Sequence, residues 1–363
     1  MLKKIIYFIL TVLYSAHLSF AQTVVMDSIY RVPLPGVIVT DVNGSFLCVS
    51  DNNGIIQTDN NKECLLLSCL GYEKKCIQSD KLETELLLSP IVYKLKKSIP
   101  TQRDEDILVL TCYFHDYMLL GKEILLPSET SLLFQRDGLC RIFIPSRNDS
   151  WIFSDIHYDI IRNGSGKSSL KHRGGLKWRG EENIRNTSIL DDIVNSSIYQ
   201  CDVKDNIIEV NAPSTAVSRL THGWIIRDTL SGIHKINYSQ SAGHWMTIQI
   251  GNQNFKGKLT NHVLHEIYQI TSDYSTSMSS LLSFEEIYEV SCINNKNGDG
   301  SYPYLFSRKF FPVETSYVST KKEYRKARRQ KKKYTENDIE QFKSQLDPRS
   351  SGFAIPMSIM ADM

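Results

Sequence analysis

The chain has 363 residues, 41% hydrophobic and 23% charged, with a formal net charge of +2. That is the composition of a folded protein, so disorder, a collagen-like fibre and a bare disulfide knot are excluded, and the length points to about two domains. It is also far too short for a 22-stranded outer-membrane barrel with its plug.

Residues 1–21 read as a signal peptide. Lys3 and Lys4 form the positive start, residues 5–13 are apolar, and Ser19 and Ala21 put small side chains at −3 and −1. Tyr14, Ser15 and His17 interrupt the apolar stretch before it reaches the ~20 residues that span a bilayer. The expectation is an exported chain starting at Gln22, periplasmic, outer-membrane-associated or extracellular. No transmembrane segment is expected after cleavage.

Residues 22–99 alternate short apolar runs with turn residues. Gly36-Val37-Ile38-Val39-Thr40 is β-branched, Asn43-Gly44 marks a hairpin, and Phe46-Leu47-Cys48-Val49-Ser50 is followed by Asp51-Asn52-Asn53-Gly54. Residues 63–70 form a nearly continuous apolar run closed by Gly71, and residues 86–88 and 91–95 give two more strands. Six or seven short strands in about 75 residues argue for a small antiparallel sandwich.

The succession Pro33-Leu34-Pro35-Gly36-Val37-Ile38-Val39, Ser50-Asp51-Asn52-Asn53-Gly54 and Leu66-Leu67-Ser68-Cys69-Leu70-Gly71-Tyr72-Glu73 resembles the carboxypeptidase-regulatory-like domain of Bacteroidetes envelope proteins. The resemblance covers about 75 residues. It implies a seven-stranded, transthyretin/Ig-like sandwich that serves structure or docking and carries no catalytic residue. It also puts a last strand at residues 93–99. Gly54 and Gly71 read as tight-turn devices, and Tyr72 as a packed aromatic with its hydroxyl at the rim.

Four of the eight cysteines fall within residues 48–76. None has C-x-x-C spacing, and no Cys/His set fits zinc. Several sit in apolar runs and read as buried thiols. Cys64 and Cys69, five apart on one strand, point to opposite faces and are poor disulfide partners. The connectivity stays open.

Residues 100–106 are polar and read as a linker. Residues 107–320 read as a larger antiparallel β domain, with candidate strands at 205–210, 223–228, 232–239, 244–251, 254–259, 263–271 and 285–293. The expectation is a curved sheet with one wet face, or a second sandwich. Residues 107–112 and 113–122 show no single period.

Several constellations tempt a catalytic reading. Gly164-Ser165-Gly166-Lys167-Ser168 lacks the first glycine of a phosphate loop, because Ile161 stands there. His262-Val263-Leu264-His265-Glu266 holds three ligand types, but on a strand His262 and His265 point apart and cannot share a metal. No histidine is followed three residues later by glutamate, so the zinc pair of carboxypeptidases is missing, and there is no Gly-x-Ser-x-Gly elbow. No catalytic, cofactor or metal residue is assigned.

Residues 321–333 hold nine Lys/Arg and one Glu, on an otherwise mildly acidic chain. Good helix formers without Gly or Pro make residues 321–347 a basic helical segment, with a second start at Thr335-Glu336-Asn337-Asp338. Residues 348–363 read as a flexible tail. A solvated helix is one reading of the basic run. The other is contact with anionic groups by Lys326, Arg328, Arg329, Lys331, Lys332 and Lys333, on an envelope protein or on lipid and lipopolysaccharide, with nucleic acid removed by export. The sequence thus reads as a non-enzymatic envelope protein, with a docking sandwich and a β domain that binds an apolar ligand or protein partner. The alternative is a hydrolase of an envelope or glycan substrate with its site in residues 107–320.

Overall fold

The computed structural model describes residues 22–58, 64–97, 99, 106–120, 132–144, 155–163, 197–212, 221–239, 243, 245–250, 253–271, 277–293, 301–329 and 337. The fold is mainly β. Among these residues no helix is long and apolar enough to cross a membrane, which says nothing about strands.

The first seven strands are β1 (Gln22–Asp27), β2 (Ile38–Asp41), β3 (Phe46–Val49), β4 (Ile55–Gln57), β5 (Leu65–Ser68), β6 (Lys75–Ile77) and β7 (Glu85–Leu88). They form two sheets, ordered β4-β1-β7 and β3-β2-β5-β6, in which only the β1–β7 pair is parallel. Val25, Leu34, Val37, Val39, Leu65, Leu67 and Leu88 fill the core between them. The turns follow from their residues. Asp41 Oδ1 accepts the amides of Asn43 and Ser45, and Asp51 Oδ1 those of Asn53 and Ile55. Each such Asx turn ends on a glycine with positive φ, Gly44 and Gly54.

Two expectations change here. Cys64 and Cys76 form a disulfide with Cα atoms 6.4 Å apart, while Cys48, Cys69, Cys112, Cys140 and Cys201 are free. Residues 91–97 form no strand. Pro90 has no amide for a ladder, and the chain beyond it is held by the third, largest sheet. Tyr93 Oη lies 3.1 Å from Ser283 Oγ, and Lys96 exchanges backbone bonds with the Gln269 side chain. Of the expected linker only Asp106 is described, and it is buried.

The third sheet has eleven strands: β8 (Ile107–Leu120), β9 (Leu132–Ile144), β10 (Asp155–Asn163), β11 (Gln200–Lys204), β12 (Ile207–Asn211), β13 (His222–Asp228), β14 (Ile233–Ser239), β15 (Trp245–Ile250), β16 (Gln253–Gln269), β17 (Leu281–Ile293) and β18 (Ser301–Val318). Their order is β10-β9-β8-β18-β17-β16-β14-β13-β12-β11. β16 is long enough to pair β15 along Gln253–Lys258 and β14 along Val263–Gln269. The last strand returns beside β8, so two antiparallel runs are sewn together at a β8–β18 seam.

The expected wet face is not found on the central strands. Every residue of β14 is buried. One face is covered by the sandwich, where Ile38, Phe46 and Val49 pack with Leu119, Val263, Ile287 and Leu305, and Leu70 with Ile233, Ile267 and Phe311. The opposite face carries the largest apolar cluster, including Leu110, Phe114, Ile142, Ile225, Ile236, Leu264, Phe284 and Phe310.

Candidate functional site

Successive strand residues point to opposite faces. The central strands use this to place two ionic rows back to back. His115 of β8, Lys309 of β18, Glu285 of β17, His265 of β16 and Asn237 of β14 stand opposite one another across the ladder, facing the sandwich. The next positions, Asp116, Arg308, Glu286, Leu264 and Tyr238, make a second row on the other face.

The first row lies against the sandwich. Lys309 Nζ lies 3.1 Å from Glu285 Oε1, which also accepts the Ser307 hydroxyl at 2.8 Å. Burial alone pushes the Lys309 ammonium down, yet Glu285 outweighs it and leaves the pKa above the usual lysine value. His265 Nδ1 bonds Asn237 Oδ1 at 2.8 Å. One row further along β14, Lys235 Nζ lies 3.6 Å from Asp27 Oδ2 of the sandwich and 4.9 Å above the Tyr72 ring. Tyr72 donates its hydroxyl to the same Asp27 oxygen at 2.8 Å. The Tyr72 hydroxyl is therefore buried against the junction, not at a wet rim. Burial pushes the Lys235 ammonium below its usual value, against the pull of Asp27 and Asp228.

Contact is close elsewhere too. Asn261 Nδ2 donates to Ser50 O at 3.0 Å. At Gly36 (φ +76°) a Cβ would stand 2.7 Å from Val263 Cγ1 and 2.8 Å from His265 Nε2. At Gly71 (φ +86°) it would meet Ile267 Cδ1 at 2.8 Å. Glycine is required at both for its φ and for the approach of the sheet.

On the opposite face Asp116 Oδ1 lies 3.4 Å from Arg308 Nε. His262 Nε2 lies 3.0 Å from Glu286 Oε1, which also accepts the Tyr288 hydroxyl, and the His262 and Tyr288 rings stack at 4.2 Å. Burial raises the Glu286 pKa, but the bonds from His262 and Tyr288 and the charge of Arg308 outweigh it and hold the carboxyl below its usual value. Glu266 accepts hydroxyls from Tyr238 and Tyr268, both at 2.8 Å. His262 and His265 do lie on opposite faces of β16, with different partners. Among the described residues no group of three or more His, Cys, Asp or Glu is placed to hold a metal. A cleft of about 370 Å³ opens beside Lys75, Glu85 and Leu87 of the sandwich, and none of its lining residues belongs to either row.

The basic segment begins as one helix, α1 (Lys321–Arg329). Thr320 caps it: its Oγ1 accepts the Glu323 amide at 3.2 Å, while Glu323 Oε2 accepts the Ser319 amide at 3.3 Å. Glu323 in the first turn and Lys326, Arg328 and Arg329 in the last suit the helix dipole. Tyr324 is buried beside Ile107, Val109, Val318 and Ala327, edge-on to Phe143 at 5.4 Å. Arg141 Nη1 donates to Ala327 O at 2.7 Å and ties the last turn to β9.

Lys326, Arg328 and Arg329 are thus exposed on a docked helix. Lys331, Lys332, Lys333, the Gly164–Ser168 loop and the helix expected from residue 335 lie outside the described residues, save helical Asn337. Sequence reasoning passed over Lys322 and Arg325. The spacing i, i+3, i+4, i+7 from Lys322 was available, but only the inward Tyr324 fixes which side of the helix faces out.

No protein-family model matches the chain, and no curated protein matches it either.

Proposed function

We propose that this chain is an exported, non-enzymatic protein of the bacterial cell envelope that acts as a scaffold. In this reading the sandwich braces the large sheet of its own chain. The sheet carries the contact surface for another envelope component. The observation that supports it best is the Asp27–Lys235–Tyr72 junction, which spends buried charges on joining the two modules. Breaking such a pair leaves a costly uncompensated charge, so the junction favours one docked arrangement. The Cys64–Cys76 disulfide agrees with an oxidising compartment, as does the leader-like start of the sequence.

Fractionation of cells making the full chain from its own leader tests this. The reading expects a mature chain starting at Gln22 in the periplasmic or outer-membrane fraction, with Cys64 and Cys76 oxidised. The full-length precursor in the cell interior, with both thiols free, overturns it.

A further inference from the structure

We propose that α1 is a peripheral docking surface for a bilayer bearing anionic phosphate headgroups. Lys322, Arg325, Lys326 and Arg329 stand at i, i+3, i+4 and i+7 and share one face of the helix. All four are exposed. The opposite side is fixed by Tyr324, Ala327 and the Arg141 bond. The stripe is therefore held on the body, and little order has to be gained when it meets a surface.

Three features select this occupant. The stripe carries four cations and no aromatic or aliphatic side chain. It suits contact with headgroups from above and has nothing to insert between chains or to stack on bases. Nine of the chain's 42 cations fall within residues 321–333 of the sequence, and the six of them on α1 give this helix a strong positive charge that a negative plane attracts. The six Lys/Arg of α1 outnumber its one carboxylate, Glu323, which is drawn to the Ser319 amide. The inference deepens the envelope reading and rests on it only for the side of the membrane the stripe meets.

The test uses the mature full chain, sedimented with neutral phosphatidylcholine vesicles and with vesicles containing phosphatidylglycerol, at low and at physiological salt. The quadruple variant Lys322→Glu, Arg325→Glu, Lys326→Glu, Arg329→Glu is compared with a charge-matched control, Lys81→Glu, Lys97→Glu, Lys204→Glu, Lys258→Glu, whose sites are exposed elsewhere. Matching melting curves verify both folds. A milder set, the four residues changed to Gln, serves if the Glu variant is destabilised. The expected result is binding to anionic vesicles only, weakened by salt, at least ten-fold weaker in the stripe variants and within two-fold of the parent in the control. Equal loss in the control, no binding by the parent, or binding to acidic protein or DNA without vesicle preference overturns it. Envelope localisation without vesicle binding removes this inference alone. Vesicle binding by a protein kept in the cell interior removes the envelope reading alone.

Discussion

Asp27 on the first strand of the sandwich and Lys235 in the middle of the large sheet meet at 3.6 Å, with both side chains sealed from solvent. This pair makes the two modules interdependent. Replacing Asp27 with Asn leaves a buried ammonium without its counter-charge and should lower stability by about 3–5 kcal/mol. The double variant Asp27→Asn, Lys235→Met removes both charges while keeping an acceptor for the Ile29 and Tyr30 amides, and should recover much of that loss. Tyr72→Phe, which deletes one buried donor to Asp27, should cost about 1–2 kcal/mol. Urea denaturation of the four proteins checks the order.

Gly36 and Gly243 separate backbone strain from close approach. Both have positive φ, +76° and +91°, but a Cβ at Gly36 meets Val263 and His265 while one at Gly243 meets nothing within 4 Å. Gly243→Ala should cost about 1 kcal/mol from its φ alone. Gly36→Ala should cost at least twice as much, and the excess should shrink when Val263 is also changed to Ala. Denaturation midpoints of these variants and of Val263→Ala alone decide it.

Acid stability carries opposing contributions with known signs. Burial pushes the His265 imidazole down to about 4, against the pull of Glu285. The unfolded chain, with a histidine pKa near 6.5, then binds the proton first. The His265 share of stability is intact above about pH 6.5 and falls as the pH drops toward 4, by about 3 kcal/mol. Glu289 works the other way. Burial raises it to about 7, so its favourable share is present below about pH 4.5 and is lost as the pH rises to 7. Between about pH 4.5 and 6.5 the two slopes offset, so His265→Gln should uncover a decline as the pH rises through this window, and Glu289→Gln should uncover a loss as the pH falls through it. Unfolding free energies across pH 4–8 read both slopes.

Six of the described cysteines should fall into three classes. Cys64 and Cys76 are bonded and should resist alkylation until reduced. Cys201 is exposed and should label at once, whereas buried Cys69, Cys112 and Cys140 should wait for unfolding. Reducing the Cys64–Cys76 bond should lower stability by about 2–4 kcal/mol, since it closes a short loop. Peptide mapping after timed alkylation gives the classes directly.

The sandwich was legible because its turns announce themselves: Asn43-Gly44 closes the β2–β3 hairpin, and Asp51-Asn52-Asn53-Gly54 makes the turn that carries the chain from β3 to β4 in the other sheet. The large sheet was only half legible. The candidate strands at 254–259 and 263–271 are one strand, β16, and β18 was missed. The cause is physical. Alternation marks a strand with one wet face, but β8 and residues 304–311 of β18 are covered on both. Pairs such as His115-Asp116, Glu285-Glu286 and Arg308-Lys309 look exposed in a sequence, yet send one side chain into each buried face. The disulfide was hidden because Cys64 finds its partner across the β5–β6 hairpin. The junction itself has no sequence signal, since Asp27, Tyr72 and Lys235 come together only when the modules dock.

The four tryptophans all lie beyond residue 150, with Trp224 and Trp245 on the large sheet, whereas Cys69 is buried in the sandwich. Equilibrium denaturation can therefore follow each module separately, by tryptophan emission and by pulsed alkylation of Cys69. One shared midpoint in the parent, splitting into two in Asp27→Asn, is the result this account predicts. Two separate midpoints in the parent would mean that the sandwich does not brace the sheet.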